Sequence, residues 1–79
     1  MDNYQGYSIL ILDKDYSKAQ MILEKSYQDG DIDNMHYTRR FYTIDGKKLL
    51  VVHYRIYPYI HEDYEFILNE FEQEGIRIL

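Results

Sequence analysis

Met35-His36-Tyr37-Thr38-Arg39-Arg40-Phe41-Tyr42-Thr43-Ile44 runs into Asp45-Gly46 and returns, after Lys47-Lys48, as Leu49-Leu50-Val51-Val52-His53-Tyr54-Arg55-Ile56-Tyr57. The first segment alternates, with Met35, Tyr37, Phe41 and Thr43 on one side and His36, Thr38, Arg40 and Tyr42 on the other, which is the period of a half-buried strand. Asp-Gly between two such runs is a strong two-residue hairpin signal, because a type I′ turn needs positive φ at both central positions. A two-residue turn sets Phe41 opposite Leu50, Arg39 opposite Val52, Tyr37 opposite Tyr54 and Met35 opposite Ile56. The more apolar sides of both strands then coincide, so pattern and turn predict one register.

Outward from this hairpin, the chain repeats a unit of strand and helix. Tyr7-Ser8-Ile9-Leu10-Ile11-Leu12 is an apolar run of strand length, ended by Asp13-Lys14-Asp15, and Asp13 or Asp15 is placed to cap a helix. Tyr16, Ala19, Ile22, Leu23, Ser26 and Tyr27 share one helical stripe, with Gly30 as the stop. Beyond Pro58, Ile60, Tyr64, Ile67, Leu68 and Phe71 form a second stripe, stopped at Gly75. Ile76-Arg77-Ile78-Leu79 is expected to add a last short strand. The order βαββαβ over residues 1–79, as a single α+β domain, resembles the ferredoxin-like split βαβ arrangement. That resemblance implies a four-stranded antiparallel sheet in the order 4-1-3-2 with both helices on one face. The first and third strands are the most apolar, as central strands are.

Composition excludes more than it assigns. The 79 residues contain no cysteine, which removes disulfides, thiolate metal sites and cysteine nucleophiles and fits a cytoplasmic protein. The longest aliphatic run, Ile9 to Leu12, is far below the ~20 residues of a membrane span, and Met1-Asp2-Asn3-Tyr4 lacks a basic signal start. Neither a membrane role nor a cofactor is expected. A net charge of −5 weighs against direct binding to nucleic acid and favours basic partners. Chains this short bury only about 60% of their unfolded surface. A dimer, through the last strand's edge or the open sheet face, is expected for that reason.

Two groups of residues are candidate sites. The second helix carries Glu62, Asp63, Glu65, Glu70, Glu72 and Glu74 with no Lys or Arg among them. Phe66 points nearly opposite its core stripe, surrounded by Glu62, Glu65, Asn69, Glu70 and Gln73. An exposed aromatic within a charged rim is the pattern of a protein-binding anchor. The ten tyrosines point the same way. The second group, His36, Arg40, Tyr42, His53, Arg55 and Tyr57, shares the sheet face away from the helices and suits an anionic ligand, a nucleotide or RNA. His36-Tyr37-Thr38 and His53-Tyr54-Arg55 resemble the paired elements of two-histidine phosphoesterases. The second lacks the hydroxyl, however, and no hydrolytic activity is expected. No spacing suggests a metal site.

These features predict a non-enzymatic module that binds a larger basic protein, such as nucleic-acid-handling machinery. In size and composition the chain resembles phage-encoded inhibitors of host or defence systems, including anti-CRISPR proteins. The alternative is a module holding an anionic ligand on the sheet.

Overall fold

The computed structural model describes residues 5–79. Strand β1 (Tyr7–Leu12) passes through a single 3-10 turn at Asp13–Asp15 into helix α1 (Tyr16–Gln28), followed by strands β2 (Ile32–Ile44) and β3 (Lys47–Pro58) and helix α2 (His61–Gln73). The three strands form one antiparallel sheet in the order β1-β3-β2.

The hairpin has the register that its sequence predicts. Tyr37 pairs with Tyr54 and Phe41 with Leu50, and Ile44 and Lys47 flank the turn. Asp45 and Gly46 take φ of 52° and 75°. Both central residues are therefore left-handed, as a type I′ turn requires. At 13 and 12 residues these strands span about 40 Å at ~3.3 Å per residue, which is the long axis of the 40 × 28 × 16 Å molecule. β1 pairs only with Val51–Ile56 of β3, so the tip of the hairpin projects as a two-stranded ribbon.

The core lies on one side of the sheet. Ile9 and Ile11 of β1 and Val52, Tyr54 and Ile56 of β3 project to one face, where they meet Ala19 and Leu23 of α1 and Ile67 and Phe71 of α2. Both helices thus cover the same face. Their stripes follow the predicted spacing with two exceptions, Tyr27 and Ile60, which are both exposed at helix ends. α2 begins with the Ile60 N–H donating to the Asp63 carboxylate at 3.4 Å. It ends at Gly75, whose φ of 76° lets the Ile76 N–H reach back to the Phe71 carbonyl at 3.0 Å.

The ferredoxin-like, four-stranded arrangement expected from the element order is not what the chain adopts. The sheet has three strands. Of the four residues expected to form the last strand, Ile76 is spent closing the end of α2 and is buried in the core beside it. Only Ile78 then reaches β1, in one isolated antiparallel bridge to Ile11, with the Leu79 N–H donating to Leu10 at 2.9 Å. A single bridge is not a ladder, so the last-strand edge expected to pair two copies does not exist as a strand.

Candidate protein-binding surface

The two helices lie side by side and enclose a groove of about 350 Å³ on the surface away from the sheet. Its apolar lining is Met21 and Ile22 of α1 and Phe66 of α2. Lys18 and Lys25 stand on the α1 bank, Glu70 and Glu74 on the α2 bank. Phe66 is 51% exposed and Met21 is 72% exposed. Such large apolar side chains are half free because each helix turns its main stripe into the core and carries one apolar residue beyond that stripe.

The structure divides the predicted α2 site. Phe66 and Glu70 line the α1–α2 groove. Glu65 and Asn69 face the other flank, where they border a second depression with Leu68, Ile76 and Ile78. Glu62 and Gln73 are exposed on the outer ridge between the two. Glu65 is also engaged within the chain, with its Oε1 3.0 Å from His61 Nε2, while His61 Nδ1 lies 3.0 Å from the Tyr7 hydroxyl. One tautomer satisfies both contacts, with Nε2–H donating to the carboxylate and Nδ1 accepting from the phenol. The Tyr7 ring stacks on Tyr64 at 4.3 Å. Burial of Tyr64 pushes its hydroxyl pKa upward, with the neighbouring Tyr7 adding to the rise.

The excess of acid at the end of α2 has an internal counterweight that the sequence of the helix does not contain. Lys18 of α1 donates from Nζ to the Glu74 carbonyl at 3.3 Å. It brings a cation to the negative end of the helix dipole, where Glu72 and Glu74 act against it. Among the described residues the one basic side chain in contact with a carboxylate of α2 is His61, which donates to Glu65, and no lysine pairs with any of them. The helix thus presents Glu62, Glu70 and Glu72 to solvent without partners of opposite charge. The α1 contribution to this surface, Lys18, Met21 and Lys25, lies outside the sequence-predicted site. Its one local signal was Met21, an apolar residue off the α1 stripe.

The second predicted group is brought together on the uncovered sheet face. His36 is opposite Arg55, Thr38 opposite His53 and Tyr42 opposite Leu49. Tyr57 meets the His36 ring edge-on at 6.1 Å and lies 5.9 Å below the Arg55 guanidinium. The face is less polar than those six residues suggest, because Leu10, Leu12 and Val51 share it and Val51 is fully buried between its neighbours. His53 Nε2 is buried and has no hydrogen-bond partner among the described residues. Nor does any group of three or more metal-ligating side chains occur among them. No described helix is long and apolar enough to cross a membrane.

A third cluster joins α1 to β2. The Tyr16 hydroxyl donates to Tyr37 at 2.9 Å, and Arg39 lies 3.8 Å over the Tyr16 ring with its Nε 3.0 Å from Asp13 Oδ1. Asp13 is therefore tied to a strand and makes no helix cap. The hydrogen bond to Tyr37, more than burial, raises the Tyr16 pKa. No family model, curated protein or solved structure matches this chain.

Proposed function

We propose that the chain is a non-enzymatic protein-binding module whose contact surface is the ridge of α2 and the groove it forms with α1. The observation that carries this reading is Phe66, half exposed above an apolar groove floor and rimmed by Glu70 and Glu74, whose carboxylates pair with no lysine among the described residues although Lys18 and Lys25 stand across the groove. A central aromatic supplies affinity once desolvated, whereas acids at the rim act chiefly on the rate and specificity of encounter. The complementary partner is a protein with a basic, concave surface, of the kind that handles nucleic acid, met in the cytoplasm. Occupying such a surface would make the chain an inhibitor of the type encoded by phages against host defence.

The test is capture of a basic partner by the wild-type chain and its loss from variants. Phe66→Ala should weaken binding by about 2 kcal/mol, a typical cost for a buried aromatic anchor, and leave thermal unfolding unchanged. Glu70→Lys should slow association more than it speeds dissociation. Normal binding by the folded double variant would remove this surface from consideration. A second reading, an anionic ligand on the open sheet face, is favoured by the unpartnered His53 Nε2 beside Arg55. A co-purifying nucleotide, lost on His53→Ala, would favour it over the first.

A further inference from the structure

β2 is an edge strand of 13 residues with no neighbouring strand on its outer side among the described residues. Exposed edges of this length are normally blunted by proline, bulges or covering loops. β2 has no proline, and its one irregularity lies at its start, between Ile32 and Asn34. The two-residue turn closes on the Ile44–Lys47 pair, which fixes the alternation of the backbone groups. Those of Tyr42, Arg40, Thr38 and His36 face β3, and those of Thr43, Phe41, Arg39, Tyr37 and Met35 face outward.

We infer that this edge pairs with the same edge of a second copy, antiparallel and centred on Thr38, to give a two-fold dimer with one continuous six-stranded sheet. Opposite residues of an antiparallel pair project to the same face, so the two-fold axis must pass through a residue position. Centring on Arg39 would set two guanidinium groups against each other. Centring on Tyr37 would oppose Asp33 to Phe41 and leave Thr43 and Ile44 beyond the partner strand. Thr38 is the midpoint of Ile32–Ile44. Centring there uses the whole strand and sets Tyr37 opposite Arg39, Met35 opposite Phe41 and Ile32 opposite Ile44. The outward groups of Met35, Tyr37, Arg39 and Phe41 then form about eight main-chain hydrogen bonds, within the range of a typical specific interface.

The side chains on the helix side agree with this register. Beside Met35, a groove of about 510 Å³ is bordered by Glu24, Tyr27 and Gln28 of α1 and by Asn34. Phe41 is 59% exposed, with Lys48 lying over its ring at 4.7 Å. In the Thr38-centred pair, Phe41 of each copy is opposite Met35 of the other and enters this groove beside Tyr27. The edge thus supplies both a knob and its hole. Of the two helices it is α1 that packs on β2, so the dimer would present two α2 surfaces at once and gain avidity for a repeated or dimeric partner.

Because the chain has no cysteine, single cysteines report the register directly. On mild oxidation Thr38→Cys should form a covalent dimer, since the two thiols face each other across the axis. Arg40→Cys should not, because its two copies are offset by four residues, roughly 13 Å, against the ~7 Å limit for disulfides. Sedimentation of the full wild-type chain should show a dimer at high micromolar concentration, weakened about tenfold or more by Phe41→Ala with an unchanged circular dichroism spectrum. A wild-type monomer at that concentration would overturn the inference and leave the edge to a foreign strand. Equal crosslinking at positions 38 and 40 would overturn the register.

Discussion

β2 and β3 are the two halves of one hairpin, nearly equal in length and both rich in apolar residues, yet they have opposite fates. Val51, Val52, Tyr54 and Ile56 of β3 are fully buried, whereas β2 buries only Ile32. The difference lies in their neighbours and not in their composition. β3 is flanked by β1 and β2 and lies under both helices, while among the described residues β2 has a neighbouring strand on one side only. Burial of a strand residue is thus set by its place in the sheet, and an apolar residue left over on the edge, such as Phe41, is available for another purpose.

Truncation should separate the two strands most sharply. Ile56→Ala removes buried methylenes at the junction of sheet and helices and should cost about 2–5 kcal/mol in denaturant unfolding. Phe41→Ala, measured at low concentration where the chain is monomeric, should fall within about 0.5 kcal/mol of wild type. Comparable losses from both would mean that the hairpin tip is as well packed as its base.

The contrast continues in the phenols. Tyr54 has its ring in the core and its hydroxyl donating to Gln20 Oε1 at 3.1 Å. Burial, assisted by the neighbouring Tyr16 and Tyr37, holds its pKa far above the ordinary value. A raised folded-state pKa contributes stability in full below the unfolded value, about 10, and that contribution is lost as pH rises above it. Unfolding free energy should therefore fall with rising pH in the alkaline range, and Tyr16 and Tyr64, also raised, add to the fall. Tyr54→Phe should cost about 1 kcal/mol at neutral pH through the lost hydrogen bond and flatten the alkaline decline. An unchanged slope would show that Tyr54 does not control it.

What was legible in the sequence follows the same division between local and distant causes. The hairpin register needs only the alternation and the Asp45-Gly46 turn, and the helix stripes need only their spacing. The last strand failed because the burial of Ile76 beneath the end of α2 depends on how the helix closes, which no four-residue pattern encodes. The exposure of Phe66 followed from its helical angle. Its facing residue Met21, and the Lys18 that serves the end of α2, are more than forty residues away in the chain. That the six residues His36, Arg40, Tyr42, His53, Arg55 and Tyr57 share one face was readable from parity alone. Leu10 and Leu12 bring apolar character to the same face from β1, which pairs with β3.

The turn offers a test in which packing plays no part. A Cβ at Gly46 would meet no atom within 4 Å, so any loss in Gly46→Ala is conformational. With φ at 75° the expected cost is about 1 kcal/mol. Because β1 pairs with Val51–Ile56 and not with the tip, the loss should stay local and melting should stay a single transition. A loss well above that would show that the tip is coupled to the core.

A comparably small effect is expected at Arg39, where β2 is tied to the helical layer. Arg39 combines an ion pair to Asp13 with stacking over Tyr16, and both are partly exposed. Exposed ion pairs contribute about 0.2–1 kcal/mol, and exposed cation–π contacts about 0.5–1 kcal/mol. Arg39→Ala should therefore cost on the order of 1 kcal/mol. Arg39→Lys keeps the charge but loses the planar stack and should recover only part of that cost. Salt divides the two contributions, since screening weakens the pair with Asp13 more than the ring contact. If Asp13→Asn abolishes the whole effect of Arg39→Ala in a double-mutant cycle, the link between β2 and the helices is electrostatic. If about half the effect survives, the Tyr16 ring holds the strand in place, and the edge stays ordered at high salt.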